Sequence, residues 1–165
     1  MKDDIEGRIL WCIKQKKGLK ITKPNDNLCN AYLKKANNSL KSMKLNMDAK
    51  LYEWAIDTAY YSRYHAVYAL LQKCGFVSEI HDCSISVTAF LFKNELGSLL
   101  EELETAKKQR IDVMYYTDRT VSEKDVKKNV HSAPDFVVSI EKIVSDLNNV
   151  DKINKLRSKL EKLIS

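Results

Sequence analysis

The chain has 165 residues and a net charge of +6, with only four glycines and two prolines. That length suits one domain with an appended helix and can bury a core without metal or disulfide staples. Its four cysteines, Cys12, Cys29, Cys74 and Cys83, form no C-x-x-C pair, which predicts buried thiols in a reducing, cytoplasmic setting rather than a zinc site or disulfide framework.

No stretch approaches the ~20 apolar residues that cross a bilayer. The opening MKDDIEGRILWCIKQKK lacks the layout of a signal peptide. No membrane partner is therefore expected. Residues 1–50 carry twelve Lys/Arg against five Asp/Glu, whereas the remainder is close to neutral. Such a basic segment attracts phosphate backbones or acidic partners, although lysine-rich helices are also common as solvated faces.

Scarce glycine and proline, with apolar residues recurring every three or four positions, predict an all-α chain. A first helix is expected over Asp3–Lys17 on the line Ile5, Ile9 and Ile13. A second starts at an N-cap near Asn25 or Asp26 and runs to Lys44. The third follows Asp48 and ends at Cys74, with Gly75 as a left-handed stop. Along it Ala55, Ala59, Ser62, Ala66 and Ala69 form a stripe that lets a neighbouring helix come close. Trp54, Tyr61, His65 and Tyr68 lie on the adjacent stripe, where so many weak helix formers require tertiary burial.

A fourth helix is expected over Asp82–Asn94, broken at Gly97, and a fifth from Ser98 to Tyr116. Ser122 can cap a sixth, which Pro134 is expected to kink or restart. The apolar line Ile140, Ile143, Leu147, Val150, Ile153, Leu156, Leu160 and Leu163 continues to the end. Asn148, Asn149 and Asp151 can divide it into two helices. Spacing alone leaves open whether this tail packs on its own bundle or on another subunit.

Arg110 falls on the apolar stripe of the fifth helix, so it either faces a polar groove or forms an ion pair with a residue such as Asp57 or Asp112. His65 shares a face with Tyr61 and Tyr68, and His81 stands in the link before the fourth helix. His131 is expected to be exposed. No H-E-x-x-H, phosphate-cradling glycine loop or carboxylate cluster is present, so neither a metal nor a cofactor is predicted.

The run AYYSRYHAVYALLQKCG, then His81, FLF and RIDVMYY, resembles the small prokaryotic HEPN-domain proteins over about residues 28–145. Residues 1–25 then form an N-terminal extension and 149–165 a C-terminal helical extension of a single domain. The resemblance implies an up-and-down helical bundle, usually a homodimer, often paired with a minimal nucleotidyltransferase in a toxin–antitoxin-like system. Many such proteins are metal-independent endoribonucleases. In these, an R-x(4–6)-H motif lets histidine assist the ribose 2′-hydroxyl while arginine stabilises the phosphate.

Carried onto this chain, the motif's arginine is Arg110, and Tyr115 stands in the histidine position. A tyrosine is largely protonated at neutral pH and makes a poor general base. On a regular helix, residues five apart also point about 140° from one another. Arg110 and Tyr115 can thus meet only near a frayed helix end or across a dimer. His65 or His81 are the candidate substitute bases, and Tyr61, Tyr68, Asp112 and Tyr116 the candidate groove residues. The family's modified tyrosine corresponds to Thr117, with Tyr116 beside it.

The leading expectation is a HEPN component that contacts RNA or nucleotide. The alternatives are a non-catalytic dimeric interaction module and an endoribonuclease with a non-standard base.

Overall fold

The computed structural model describes residues 2–165, with side chains from Ile5 onward. Seven helices are present among the described residues: α1 (Lys2–Lys14), α2 (Asp26–Asp48), α3 (Tyr52–Cys74), α4 (His81–Leu96), α5 (Leu99–Tyr115), α6 (Glu123–Asp146) and α7 (Val150–Ile164). Their ends follow local chemistry. The Asn25 side chain accepts from the Leu28 amide, and Ser122 accepts from Asp125, each satisfying a free donor of a first turn. Gly75 closes α3 at φ 78°.

The all-α bundle expected from periodicity is the observed fold, with one addition. Two short strands, β1 (Lys20–Ile21) and β2 (Phe76–Val77), pair antiparallel. α6 runs through Pro134 without a break. That proline sits on an exposed face, where water can take the carbonyl its ring leaves without a donor. The break falls in α4 instead, at Phe92 (φ −118°, ψ 22°), and Lys159 of α7 donates to the Phe90 carbonyl just before it at 2.9 Å.

α3 is the axis of the bundle. Ala55, Ala59, Ser62, Ala66 and Ala69 are fully buried. At Ala59 the small stripe receives Met43 of α2 and Ala133 of α6. Ile56 packs with Val113 of α5 and Val126 of α6. Trp54 departs from the expectation of burial and remains 52% exposed.

The C-terminal tail packs in cis. Ile153 and Leu160 of α7 join the core cluster with Ile9 of α1 and Leu91 of α4, each burial contributing ~1.5–3 kcal/mol. Arg157 then donates to the carbonyls of Thr22 (2.7 Å) and Cys74 (2.9 Å), joining α7 to the strand pair and the end of α3. A Cβ on Gly75 would lie 2.5 Å from the Arg157 guanidinium and 2.5 Å from the Thr22 carbonyl, so this closure needs glycine for space as well as for its φ.

The cysteines correct the sequence reading. Cys12 and Cys83 form a disulfide that ties α1 to the first turn of α4, leaving only Cys29 and Cys74 as free, buried thiols. The pairing is invisible in sequence because the two partners lie 71 residues apart. It also removes the reduced cysteines from the case for a cytoplasmic setting. Among the described residues, no helix is long and apolar enough to cross a membrane.

Candidate functional site

Residues 57, 60, 61, 64 and 65 recur at helical intervals of three and four, so α3 presents Asp57, Tyr60, Tyr61, Tyr64 and His65 along neighbouring stripes. Arg110 of α5 meets this face. Its Nε donates to Asp57 Oδ1 at 2.9 Å, Nη2 reaches the Tyr61 hydroxyl at 3.3 Å, and Nη1 reaches the Tyr115 hydroxyl at 3.4 Å. The guanidinium carbon lies 5.4 Å from the Tyr61 ring centre and 5.2 Å from that of Tyr115, within cation–π range.

Both side chains of the Arg110–Asp57 pair are under one-fifth exposed, at 18% and 14%. Burial works against the Arg110 charge. The bond to Asp57 and the neighbouring Tyr61 and Tyr115 hydroxyls outweigh it, so the guanidinium pKa rises above its usual value. Arg110 and Tyr115 do meet, and the helix end explains how. Tyr115 is the last residue of α5, and Tyr116 beyond it is already extended (φ −124°, ψ 120°).

His81, the first residue of α4, stacks on Tyr64 with ring centres 3.8 Å apart, and its Nδ1 lies 2.9 Å from the Tyr60 hydroxyl. Burial, then the Arg110 cation, lowers its pKa, so the imidazole is neutral at pH 7. Asp82 beside it pairs with Lys107. His65 lies with its ring centre 5.6 Å from that of Tyr61 and its Nδ1 3.4 Å from Ser39 Oγ. Burial, then Lys35 and His81, pushes its pKa down to about 4. Burial raises the Tyr60 pKa and lifts that of Tyr64 to about 12, so both phenols keep their protons.

These histidines make stability depend on pH. A neutral imidazole in the fold that charges near 6.5 when unfolded binds more protons in the unfolded state. Its contribution is complete above pH 6.5 and declines as pH falls toward the folded pKa. Melting temperature should therefore drop between pH 6.5 and 5, and His65→Gln should flatten that slope. Equal slopes for the two proteins by differential scanning fluorimetry would refute this.

Other candidates lie apart from Arg110. Tyr68 is buried, with its ring edge-on to Tyr32 at 4.6 Å, because the start of α2 covers it. Asp112 pairs with Arg119, whose guanidinium sits 3.8 Å over the Tyr116 ring. Thr117 is exposed in the segment after α5, and His131 is exposed on α6.

Two features escaped the sequence reading. Arg63 of α3 is fully buried among partners on α5 and α6. Its signal was a charged residue four positions after Ala59 and three before Ala66, within the small stripe. The second is a groove of about 490 Å³ between α2 and α3, lined by Lys35, Asn38, Ser39, Ser42, Thr58, Tyr61 and His65. A larger depression of about 770 Å³ runs along α7 beside Phe90, but its lining includes neither histidine nor tyrosine.

Sequence comparison with curated proteins yields no match. The family model described as HEPN domain matches residues 29–143, which takes in most of α2, all of α3 to α5 and most of α6. With the larger part of its length matched, this helical chain belongs to the HEPN-domain family.

Proposed function

We propose that the protein is a homodimeric HEPN component that contacts RNA or a nucleotide at Arg110 and works with a minimal nucleotidyltransferase. The carrying observation is how Arg110 is held. Its Nε is committed to Asp57, while its two terminal nitrogens make only long bonds, 3.3 and 3.4 Å, to tyrosine hydroxyls. A phosphate can replace those neutral acceptors with shorter, charge-assisted bonds in two-point geometry. Exposed Leu51 just before α3 and Trp54 in its first turn, with Tyr115 and Tyr116 at the end of α5, supply apolar surface suited to a second copy.

The test is fluorescence anisotropy with labelled single-stranded RNA. Losing the charge-assisted contacts of Arg110 removes ~1.5–3 kcal/mol, so Arg110→Gln should weaken binding by roughly ten- to 150-fold. Equal binding by both proteins would defeat the proposal. Light scattering that finds only monomer would remove its dimeric part. Failure to copurify with a nucleotidyltransferase encoded beside it would remove the partner.

A second reading is metal-independent RNA cleavage, favoured by the neutral His81 imidazole lying in the field of Arg110. A neutral imidazole can take a proton from a 2′-hydroxyl while arginine stabilises the phosphate charge. Binding ranks first because His81 Nδ1 is occupied by Tyr60 and the ring lies against Tyr64. Cleavage in the presence of chelator that vanishes in both Arg110→Gln and His81→Ala would reverse that order.

A further inference from the structure

The groove between α2 and α3 shares Tyr61 with the Arg110 cluster. On α2, positions 35, 38, 39 and 42 fall on one face, and on α3 so do 58, 61 and 65. Beside the apolar contact of Met43 with Ala59, the outer rim of the two helices presents a lysine, an asparagine and three serine or threonine hydroxyls. Lys35 has no carboxylate within salt-bridge distance among the described residues, and its Nζ lies 5.1 Å from the centre of the Tyr32 ring. Tyr61 lines the groove with Lys35 and also reaches Arg110. Its hydroxyl meets Arg110 at 3.3 Å and its ring lies 5.6 Å from His65, whose charged form Lys35 disfavours.

We infer that this groove is a second nucleotide subsite for single-stranded RNA, continuing the Arg110 phosphate site past Tyr61. In it Lys35 takes a neighbouring phosphate, the half-buried face of Tyr61 stacks a base, and Ser39, Ser42 and Thr58 meet ribose hydroxyls. The assignment rests on the proposal that Arg110 binds an RNA phosphate. An arginine that reaches Tyr61 and a lysine in the groove that Tyr61 lines suit the repeat of single-stranded nucleic acid, phosphate then base then phosphate. Serine and threonine hydroxyls both donate and accept, as does the 2′-hydroxyl that distinguishes RNA from DNA.

A second protein copy is the competing occupant. Lysine and serine are depleted at protein–protein interfaces, which are enriched in aromatic residues. The exposed Trp54, Tyr115 and Tyr116 have that aromatic character, whereas lysine, asparagine and serine or threonine make up most of the groove lining. The dimer partner is thereby assigned to the aromatic side and the RNA to the hydroxyl-lined side.

The test uses a fluorescein-labelled RNA of ~8 nucleotides, a common footprint for one single-strand site, and the DNA of the same sequence. Lys35→Gln is exposed and leaves the core untouched, so it folds whatever its role. It should weaken RNA binding about three- to tenfold and reduce the slope of log affinity against log salt by ~0.7, one single-strand phosphate contact. Ser42→Leu fills the groove and should weaken binding at least as much, with dimerisation unchanged. The Ser39→Ala/Ser42→Ala pair should narrow the preference for RNA over DNA.

If Lys35→Gln and Ser42→Leu both bind like wild type while Arg110→Gln does not, the subsite is refuted and the Arg110 site stands. No RNA binding by wild type removes both. If Ser42→Leu dissociates the dimer, a second copy occupies the groove and the inference is overturned.

Discussion

Arg63→Met should lower unfolding stability by about 3–5 kcal/mol, the usual consequence of removing one partner from a buried charged network. The guanidinium is fully buried, and every donor is used. Nε donates to Glu102 at 2.7 Å; Nη1 to the Ala59 carbonyl at 3.0 Å and Asn129 Oδ1 at 2.9 Å; Nη2 to the Asn129 carbonyl at 2.7 Å and Ser132 Oγ at 2.9 Å. Asn129 passes the network on to Gln109 at 2.6 Å. One side chain thus fastens α3 to α5 and α6.

Burial lowers the Arg63 pKa, and Glu102 opposes that shift. Methionine replaces much of the stem volume but leaves the Glu102 carboxylate and the Asn129 groups without donors. Against a typical stability of ~5–15 kcal/mol, the loss is large. Arg63→Lys should recover only part of it, because an ammonium lacks the planar fork that reaches partners on three helices. Urea denaturation measures both variants. A midpoint for Arg63→Met within experimental error of wild type would show that the network contributes nothing net.

The Cys12–Cys83 bond sets the second large effect. Closing a loop of 71 residues restricts the unfolded chain by about 4 kcal/mol in the loop-entropy account. Cys12→Ala/Cys83→Ala should therefore unfold at markedly lower denaturant than wild type, with alanine chosen to avoid burying new hydroxyls. Alkylation of the unreduced, denatured protein should label Cys29 and Cys74 and spare the other two. Labelling of all four sites would show that the bond does not form in solution. His81 lies two positions before Cys83, so the double variant also reports how firmly the imidazole is held against Tyr64.

The helices were legible because their ends carry chemistry. Asn25, Gly75 and Ser122 mark caps that sequence spacing exposes directly. The strand pair was not legible, since two residues on each side cannot establish an alternating pattern. Pro134 misled because its effect depends on whether the opposed carbonyl faces solvent or core, which only packing decides. Arg110 stood out by its place on an apolar stripe, and the structure pairs it with Asp57, one of its two named partners. Arg63 was overlooked among tyrosines that drew attention to the opposite side of the same helix. The groove at Lys35 required knowing that α2 lies alongside α3, a fact of tertiary arrangement that no periodicity within either helix contains.

Arg157 lies outside the residues matched by the family model, yet it holds two carbonyls that belong to earlier parts of the chain. A protein trimmed to the matched region would strip that cover from the exit of its central helix, where Gly75 leaves little side-chain mass to compensate. The boundary at which family likeness fades is therefore not the boundary at which cooperative folding stops, and the final helix is better regarded as a clasp than as an appendage.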